Sequence, residues 1–241
     1  MSEAGQKIIA KMKEDYNQIA AGFSATRQQP WEEMDEFLRF VKAGDRVLDL
    51  GCGNGRLYQV LAEKSTEYWG LDISENLLEV ARETYGRREE THWLVGDMTR
   101  ALDFKDDFFD TVFMVASLNH IPTVKLRQQT LKEIGRVTKK NGWLVMTNWN
   151  LRAWHWIKKY GWWYLLWGGK LKGMERGDVW KKWSYGGREL TERYYHAFTA
   201  GEIARLAHQS GWQVVEQYFS TRGERRGRWS GDNLVSILRK V

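Results

Sequence analysis

The sequence predicts an α/β protein, with a mostly parallel seven-stranded sheet, helices on both faces and an antiparallel hairpin at its C-terminal end. Three observations predict it. A short apolar strand at 46–50 runs through three glycines at alternate positions, Gly51, Gly53 and Gly55, into a helical pattern. From there to residue 148 strand and helix patterns alternate, as they do where parallel strands are joined by helical crossovers. Two further strand patterns, 212–219 and 233–238, close the chain, and a connection this short joins only antiparallel neighbours.

In chain order, residues 5–23 carry Ile8, Ile9, Met12, Tyr16, Ile19 and Phe23 at helical spacing. The stretch 23–31 breaks that pattern and reads as a loop, with Pro30 at a helix start. A second helix buries Phe37, Leu38 and Val41 and ends near Gly44. This 1–44 segment either covers a sheet edge or lids the site. The 45–150 core then reads as strand 46–50, helix 55–64, strand 67–72, helix 75–85, strand 92–96, strand 110–116, helix 124–139 and strand 142–148. Asp49, Asp72, Asp97 and Ser117 fall at the carboxyl ends of these strands, where such sheets bind ligands. Residues 151–192 leave the alternation as an insert. Residues 193–241 supply a helix at 200–210 and the hairpin, whose turn carries Arg222, Arg225, Arg226 and Arg228.

A chain of 241 residues with 42% hydrophobic and 28% charged residues is globular and long enough for one good core. It contains no run of about 18 apolar residues to span a membrane, and its first residues lack the apolar region of a signal peptide. One cysteine, Cys52, cannot form an internal disulfide, which fits a reducing cytoplasm. No CxxC or histidine cluster has metal spacing, so no metal is expected. The net charge of +6 is unevenly spread: residues 1–150 sum to −3, 151–190 to +6 and 191–241 to +3. A negatively charged partner met by the last third of the chain would explain that asymmetry.

The next parallel strand after the glycine turn ends in Asp72, seventeen residues beyond Gly55. Glycines let backbone approach a ligand closely, and a helix N-terminus follows. A carboxylate at the second strand's tip suits the two hydroxyls of a ribose. A tight turn in any α/β protein needs neither Asp49 nor Asp72, so the stretch reads as a nucleoside-cofactor site.

The strand-DxGxGxG-helix at 49–55, Asp72, the Gly96-Asp97-Met98 corner and the terminal hairpin resemble the class I S-adenosylmethionine-dependent methyltransferases over about residues 40–240. The resemblance implies a Rossmann-like fold and S-adenosyl-L-methionine as cofactor. In that family Asp49 and the glycines would lie beside the methionine part, and Asp72 with Ile73 would meet the ribose. Asp97 with Met98 would flank the adenine, and Ala116-Ser117 would line the sulfonium end. A narrower resemblance starts at the N-terminus. Tyr16-Asn17-Gln18-Ile19-Ala20, Phe23-Ser24-Ala25-Thr26-Arg27 and Pro30-Trp31 are similar to the tRNA wobble-uridine methyltransferases, which esterify 5-carboxymethyluridine. That group has paired histidines where this chain has Asn119-His120, and an Arg-Tyr-Tyr-His stretch matched by Arg193-Tyr194-Tyr195-His196. It also has a tryptophan-bearing terminal hairpin, matched by Trp229 and 234–240. It implies a tRNA partner and, as for some relatives, a small activator protein. The chain departs from the pattern at Asn119 and in the tryptophan content of 151–190.

Methyl transfer from a sulfonium is an in-line displacement, so placing the acceptor is a large part of catalysis. An ionised carboxylate acceptor needs no strong base but does need a cation to orient it. Arg27 and Arg193 are the candidates, with Tyr16 and Arg27 also close to the cofactor. His120 and His196 would position the ring or sugar, and His120 would serve as general base if the acceptor were an amine or hydroxyl. Each has a structural alternative. Tyr16 stands on an apolar face, Arg27 could cap a helix, His120 precedes Ile121-Pro122 as a turn residue would, and the tyrosines between Arg193 and His196 could simply pack.

The insert holds seven of the fourteen tryptophans, interleaved with cations: Trp154, His155, Trp156, Lys158, Lys159, Trp162, Trp163, Tyr164 and Trp167. Aromatic faces stack on splayed bases while lysines neutralise phosphates, so Trp154, Lys158 and Lys159 join Trp31, Asn119, Tyr194 and Tyr195 as substrate-binding candidates. A satellite core is one alternative. A membrane-surface helix is another, with peripheral contact to anionic lipid, and it would suit a small-molecule or lipid-associated methyltransferase.

Overall fold

A computed structural model describes residues 3–64, 66–86, 89–161 and 174–241. The tryptophans at 162, 163 and 167, and Tyr164, lie outside the described residues. The main sheet is built from β1 (Arg46–Leu50), β2 (Glu67–Asp72), β3 (Thr91–Val95), β4 (Phe109–Val115), β5 (Thr138–Trp149), β8 (Trp212–Thr221), β9 (Glu224–Arg226) and β10 (Asn233–Lys240), in the order β3-β2-β1-β4-β5-β10-β8-β9. β1 to β5 run parallel, and β10 is inserted antiparallel between β5 and β8. Strand order reverses at β1/β4, and the crevice beyond their carboxyl ends is where a ligand fits.

Both faces of the sheet are covered, so its strands are apolar on both. On β1, Val47 faces one core layer with Phe37, Leu57 and Phe113, while Leu48 and Leu50 face another with Val112, Met114 and Leu131. The covering helices are α3 (Arg56–Leu61), α4 (Glu75–Tyr85), α5 (Val124–Val137) and α7 (Ala200–Gln209). α4, α5 and α7 start at capping hydroxyls, Ser74, Thr123 and Thr199, each accepting a backbone N–H of the first turn. No helix among the described residues is long and apolar enough to cross a membrane.

The N-terminal α1 (Glu3–Ala25) is followed by α2 (Glu33–Phe37). Asn17 docks α1 on the start of α4: its Oδ1 accepts from Ser74 Oγ at 2.8 Å, and Asn76 Nδ2 donates to its carbonyl at 3.0 Å. Ile9, Met12, Tyr16 and Phe23 thereby reach over the glycine turn.

Two expectations need correction. The sheet has eight strands, because Arg222 and Gly223, both at positive φ, turn the chain tightly enough for β9 to pair with β8. The insert also contains more than α6 (Trp154–Tyr160): β6 (Asp178–Tyr185) and β7 (Arg188–His196) form a separate two-stranded sheet. Gly186 and Gly187 make its turn, both at positive φ, the backbone that a two-residue hairpin turn demands. The division placed between 192 and 193 therefore falls inside β7. This hairpin packs on α1, where Thr191 donates to Asp15 at 2.6 Å.

Candidate active site

One cavity spans the β1/β4 crevice and the underside of α1. Its walls include Asp49, Gly51, Gly53, Asp72, Ile73, Asp97, Met98, Ala116 and Ser117 at one end, and Tyr16, Arg27, Trp31, His120, Arg193 and Tyr195 at the other. The sheet switch point and the α1–hairpin pair thus bring together most of the residues singled out in the sequence.

At the turn, Asp49 is buried; Tyr68 donates to its Oδ2 at 2.8 Å, and its Oδ1 has no hydrogen-bond partner among the described residues. Burial pushes its carboxyl up to about 7, Tyr68 pulling the other way and Asp72 adding to the rise. Asp72 accepts from Gly53 N and Ser74 N, both at 2.8 Å, which locks the turn and leaves a further lone pair on each oxygen. Gly51 has no room for a side chain, since a Cβ would come within 2.4 Å of Ser117 Oγ. At Gly53, by contrast, a Cβ would meet only Phe23, at 3.9 Å, and would project into open cavity at φ +56°. Asp97 is occupied by its own corner, accepting from Thr99 N and Oγ1 at 2.9 and 2.7 Å. Ala116 stands at φ +53°, a strained backbone for alanine, at the mouth of β4. An unpartnered acid oxygen, glycine space and a buried carboxylate at β2's end fit a cofactor with a cationic amino-acid part and a ribose.

At the other end, Arg193 Nη1 donates to Tyr16 Oη at 3.2 Å, and its buried Nε has no hydrogen-bond partner among the described residues. The Tyr16 hydroxyl lies 3.0 Å from His120 Nε2, and His120 Nδ1 lies 2.8 Å from the Tyr194 carbonyl. A carbonyl only accepts, so Nδ1 carries the proton and Nε2 accepts from Tyr16. Burial and the Arg193 charge push His120 down to about 3, which keeps it neutral. Arg27 lies over Phe23, 4.0 Å from the ring centroid, and Asn54 Nδ2 donates to its carbonyl at 3.1 Å. Burial, then Arg193, lowers the Arg27 guanidinium. Arg56 sits 4.7 Å from the Trp31 ring and is pushed down to about 10 by burial and Arg27. Among the described residues, Arg27, Arg56 and Arg193 make no ion pair, unlike most other arginines near acids in this chain.

Strand alternation divides the Arg-Tyr-Tyr-His stretch. Arg193 and Tyr195 face the cavity; Tyr194 and His196 face the opposite side. His196 lies between Asp178, bonded to Nδ1, and Glu202, 2.7 Å from Nε2. Tyr194 donates to Asp178 at 2.7 Å. The fully buried Arg127 guanidinium binds Glu175 at 3.0 Å and Asp178 at 3.4 Å, and so fills the only Glu-Asp-His group among the described residues with metal-like spacing. His196 and Tyr194 are therefore corrected from site residues to parts of a charge network that anchors the hairpin. Asn119 is corrected likewise: it is buried, accepting from Trp149 N at 3.2 Å and donating to the His196 carbonyl at 3.1 Å. Trp154, Lys158 and Lys159 are exposed on α6 and do not line the cavity, though the Lys159 charge reaches Lys181; Trp154 packs on Trp229 at 5.2 Å. The sequence reading missed Asn54, Arg56, Trp149 and Lys181. The alternation of β6, with Lys181 across from Arg193, was the available signal for the last.

The methyltransferase domain family matches residues 48–146. An inferred methyltransferase of Encephalitozoon cuniculi is 30% identical over 202 residues, 83% of this chain and 86% of that protein. The mouse tRNA (carboxymethyluridine(34)-5-O)-methyltransferase ALKBH8 is 32% identical over 134 residues, 56% of this chain but 19% of that protein. The chain thus spans about a fifth of that relative's length, and 31% of the like-named Arabidopsis thaliana enzyme. A solved S-adenosylmethionine-dependent methyltransferase from Methanosarcina mazei shares the fold, with TM-score 0.70 and 24% identity over 86% of this chain and 97% of that one. So does an inferred methyltransferase of Haloferax volcanii solved with the Trm112 activator, at TM-score 0.67 and 19% identity over 95% and 96%.

A switch-point cavity with an acid-flanked glycine turn and a terminal antiparallel hairpin defines a Rossmann-like methyltransferase. The chain belongs to the class I S-adenosylmethionine-dependent methyltransferases, and S-adenosyl-L-methionine is its cofactor.

Proposed function

We propose that this enzyme methylates the carboxylate of a carboxymethylated wobble uridine in tRNA. The observation that carries the reading is the convergence of Arg27 and Arg193 on the cavity beyond the cofactor turn, neither of them in an ion pair among the described residues; Asp15, whose charge acts on Arg193, is itself held by Lys11 and Thr191. Two guanidiniums that make no ion pair among the described residues favour an anionic acceptor. His120 supports it from the other direction: with Nε2 taken by Tyr16 and its basicity suppressed, it is a poor general base, and a carboxylate needs none. The relatives named as carboxymethyluridine(34) methyltransferases act on such a group.

When bound, the cofactor supplies a methyl group on a cationic sulfur that departs as a neutral thioether. The Asp49 oxygen and the glycine turn would hold its amino-acid part, and Asp72 its ribose. Arg193, oriented by Tyr16, and Arg27, held by Asn54, would turn one carboxylate oxygen toward the methyl group while neutralising the other. Trp31 and Tyr195 would bracket the base. Charging tRNA from cells that lack the final ester with labelled cofactor and digesting it to nucleosides tests this. Label in a methyl ester of the modified uridine is expected, and label confined to small molecules would overturn it.

An activator subunit of the kind bound to the Haloferax protein would find a docking edge here. Among the described residues β3 pairs with β2 alone; Leu94 and Val95 are 37% and 47% exposed, and the strand's free edge is open to another strand. Co-purification with such a subunit, lost on Val95→Pro, tests that reading.

A further inference from the structure

We propose that the Lys181 ammonium is a third group of the acceptor pocket, receiving an anionic oxygen of the acceptor, carboxylate or backbone phosphate, beside Arg27 and Arg193. The proposal rests on the tRNA reading above and extends it to a residue outside the family pattern used there.

Lys181 is directly across from Arg193 in the β6–β7 register. Like charges opposite one another destabilise a hairpin; the same face of β6 and β7 offers Val179, Trp183, Thr191 and Tyr195, and the acid that reaches it, Asp15 of α1, is taken by Thr191 and Lys11. The ammonium is held by rings instead: Nζ lies 3.7 Å from the Trp156 centroid, 4.8 Å from that of Trp149 and 5.9 Å from that of Tyr195. Trp149 and Tyr195 are walls of the cavity, so Lys181 stands at its rim. Aromatic faces attract the charge but leave the N–H donors unanswered. Among the described residues Nζ has neither a hydrogen bond nor an ion pair, whereas Lys11, Lys139 and Lys240 each hold an aspartate at 2.7 Å. A lysine kept in place by rings and facing two arginines lacks one component, an anion.

The charged groups around it are Arg193 and Tyr195 on β7, Lys159 on α6, Arg27 after α1 and, beyond Arg193, Asp15 on α1, which Lys11 and Thr191 hold, with Asp49 and His120 deeper in the cavity. Burial, Arg193, Lys159 and Arg27 bring the ammonium down to about 7. An anion beside it reverses that, so binding takes up a proton and weakens as pH rises. The acceptor carboxylate and His120 titrate well below this window. Asp49 titrates within it, and Lys181→Arg, which keeps the charge at all pH values, separates the two.

The test is binding of two anticodon stem-loop RNAs, one with 5-carboxymethyluridine and one with uridine at the wobble position, to wild type, Lys181→Gln and Lys181→Arg, between pH 6 and 8. For wild type we expect about tenfold weaker binding at pH 8 than at pH 6, a flat profile for Lys181→Arg and about tenfold weaker binding at pH 6 for Lys181→Gln. A loss confined to the carboxymethyl RNA assigns the contact to the carboxylate, and an equal loss for both RNAs assigns it to phosphate. Unchanged affinity of Lys181→Gln in a wild type that binds both RNAs overturns the proposal and leaves the tRNA reading standing. Failure of wild type to bind either RNA overturns the tRNA reading and the proposal with it.

Discussion

Tyr16 donates its phenolic proton to His120 Nε2 across 3.0 Å, joining α1 to the turn after β4 while its oxygen accepts from Arg193. The bond makes Tyr16 a positioning residue for Arg193 and removes His120 from service as a base. Tyr16→Phe is expected to lower kcat/KM about tenfold, the effect of one hydrogen bond to a charged group, while cofactor affinity changes little. His120→Gln should leave no new inflection in the pH–rate profile between 5 and 8. An inflection near 6.5 lost in that variant would instead mark His120 as a titrating catalyst.

Asp49 makes cofactor binding pH-dependent. With its carboxyl raised to about 7 in the free protein, a cation bound beside it must lower that value again. Affinity then falls below pH 7, by up to about tenfold per unit, and binding at pH 7 releases protons. Calorimetry in two buffers of different ionisation enthalpy reads the proton count. Asp49→Asn should bind about tenfold or more weakly with no pH dependence.

The same shift bears on stability. A folded-state value above the unfolded one gives stability that is present below the unfolded carboxylate range and lost as pH rises through about 7. Asp49→Asn, which keeps an acceptor for Tyr68, should therefore melt higher than wild type at pH 8 and nearly with it at pH 4.

Gly53 separates cofactor space from fold. Since a Cβ there meets only Phe23, Gly53→Ala should cost about 1 kcal/mol of stability through its positive φ but weaken cofactor binding strongly. Gly51→Ala, crowding Ser117, should show its loss in the melting curve first.

Asn119 and Arg127 should behave as structural residues. Asn119→Ala leaves a backbone amide and a carbonyl unanswered and should cost about 1–3 kcal/mol in urea unfolding. Arg127→Ala strands the buried Asp178 carboxylate and should cost about 3–5 kcal/mol. In both, cofactor affinity at temperatures well below melting should stay near wild type.

The parallel core was legible because its signals are local. β1, β2 and α4 show their bounds in apolar runs, glycines and helical spacing, and each acid at a strand end follows from that frame. The acceptor side was only partly legible. Arg27 and Arg193 could be named, but Arg193-Tyr194-Tyr195-His196 reads as one cluster until it is known to be a strand, whose period of two sends alternate side chains to opposite sides. The Gly186-Gly187 turn was the clue, masked by the aromatic and basic composition of the insert around it. Asn119 could not be placed from sequence, since its partners are backbone groups of β5 and β7 that only the packed fold brings near.

Selection of a carboxylate by Arg27 and Arg193 is read from single-turnover methylation of three stem-loop RNAs that differ only at the wobble base: 5-carboxymethyluridine, its carboxamide and uridine. Labelled methyl ester is expected on the first alone, with its formation reduced at least about a hundredfold in Arg27→Ala and Arg193→Ala. Transfer to the carboxamide or to uridine at a comparable rate, or an ester formed as fast without either arginine, would contradict it.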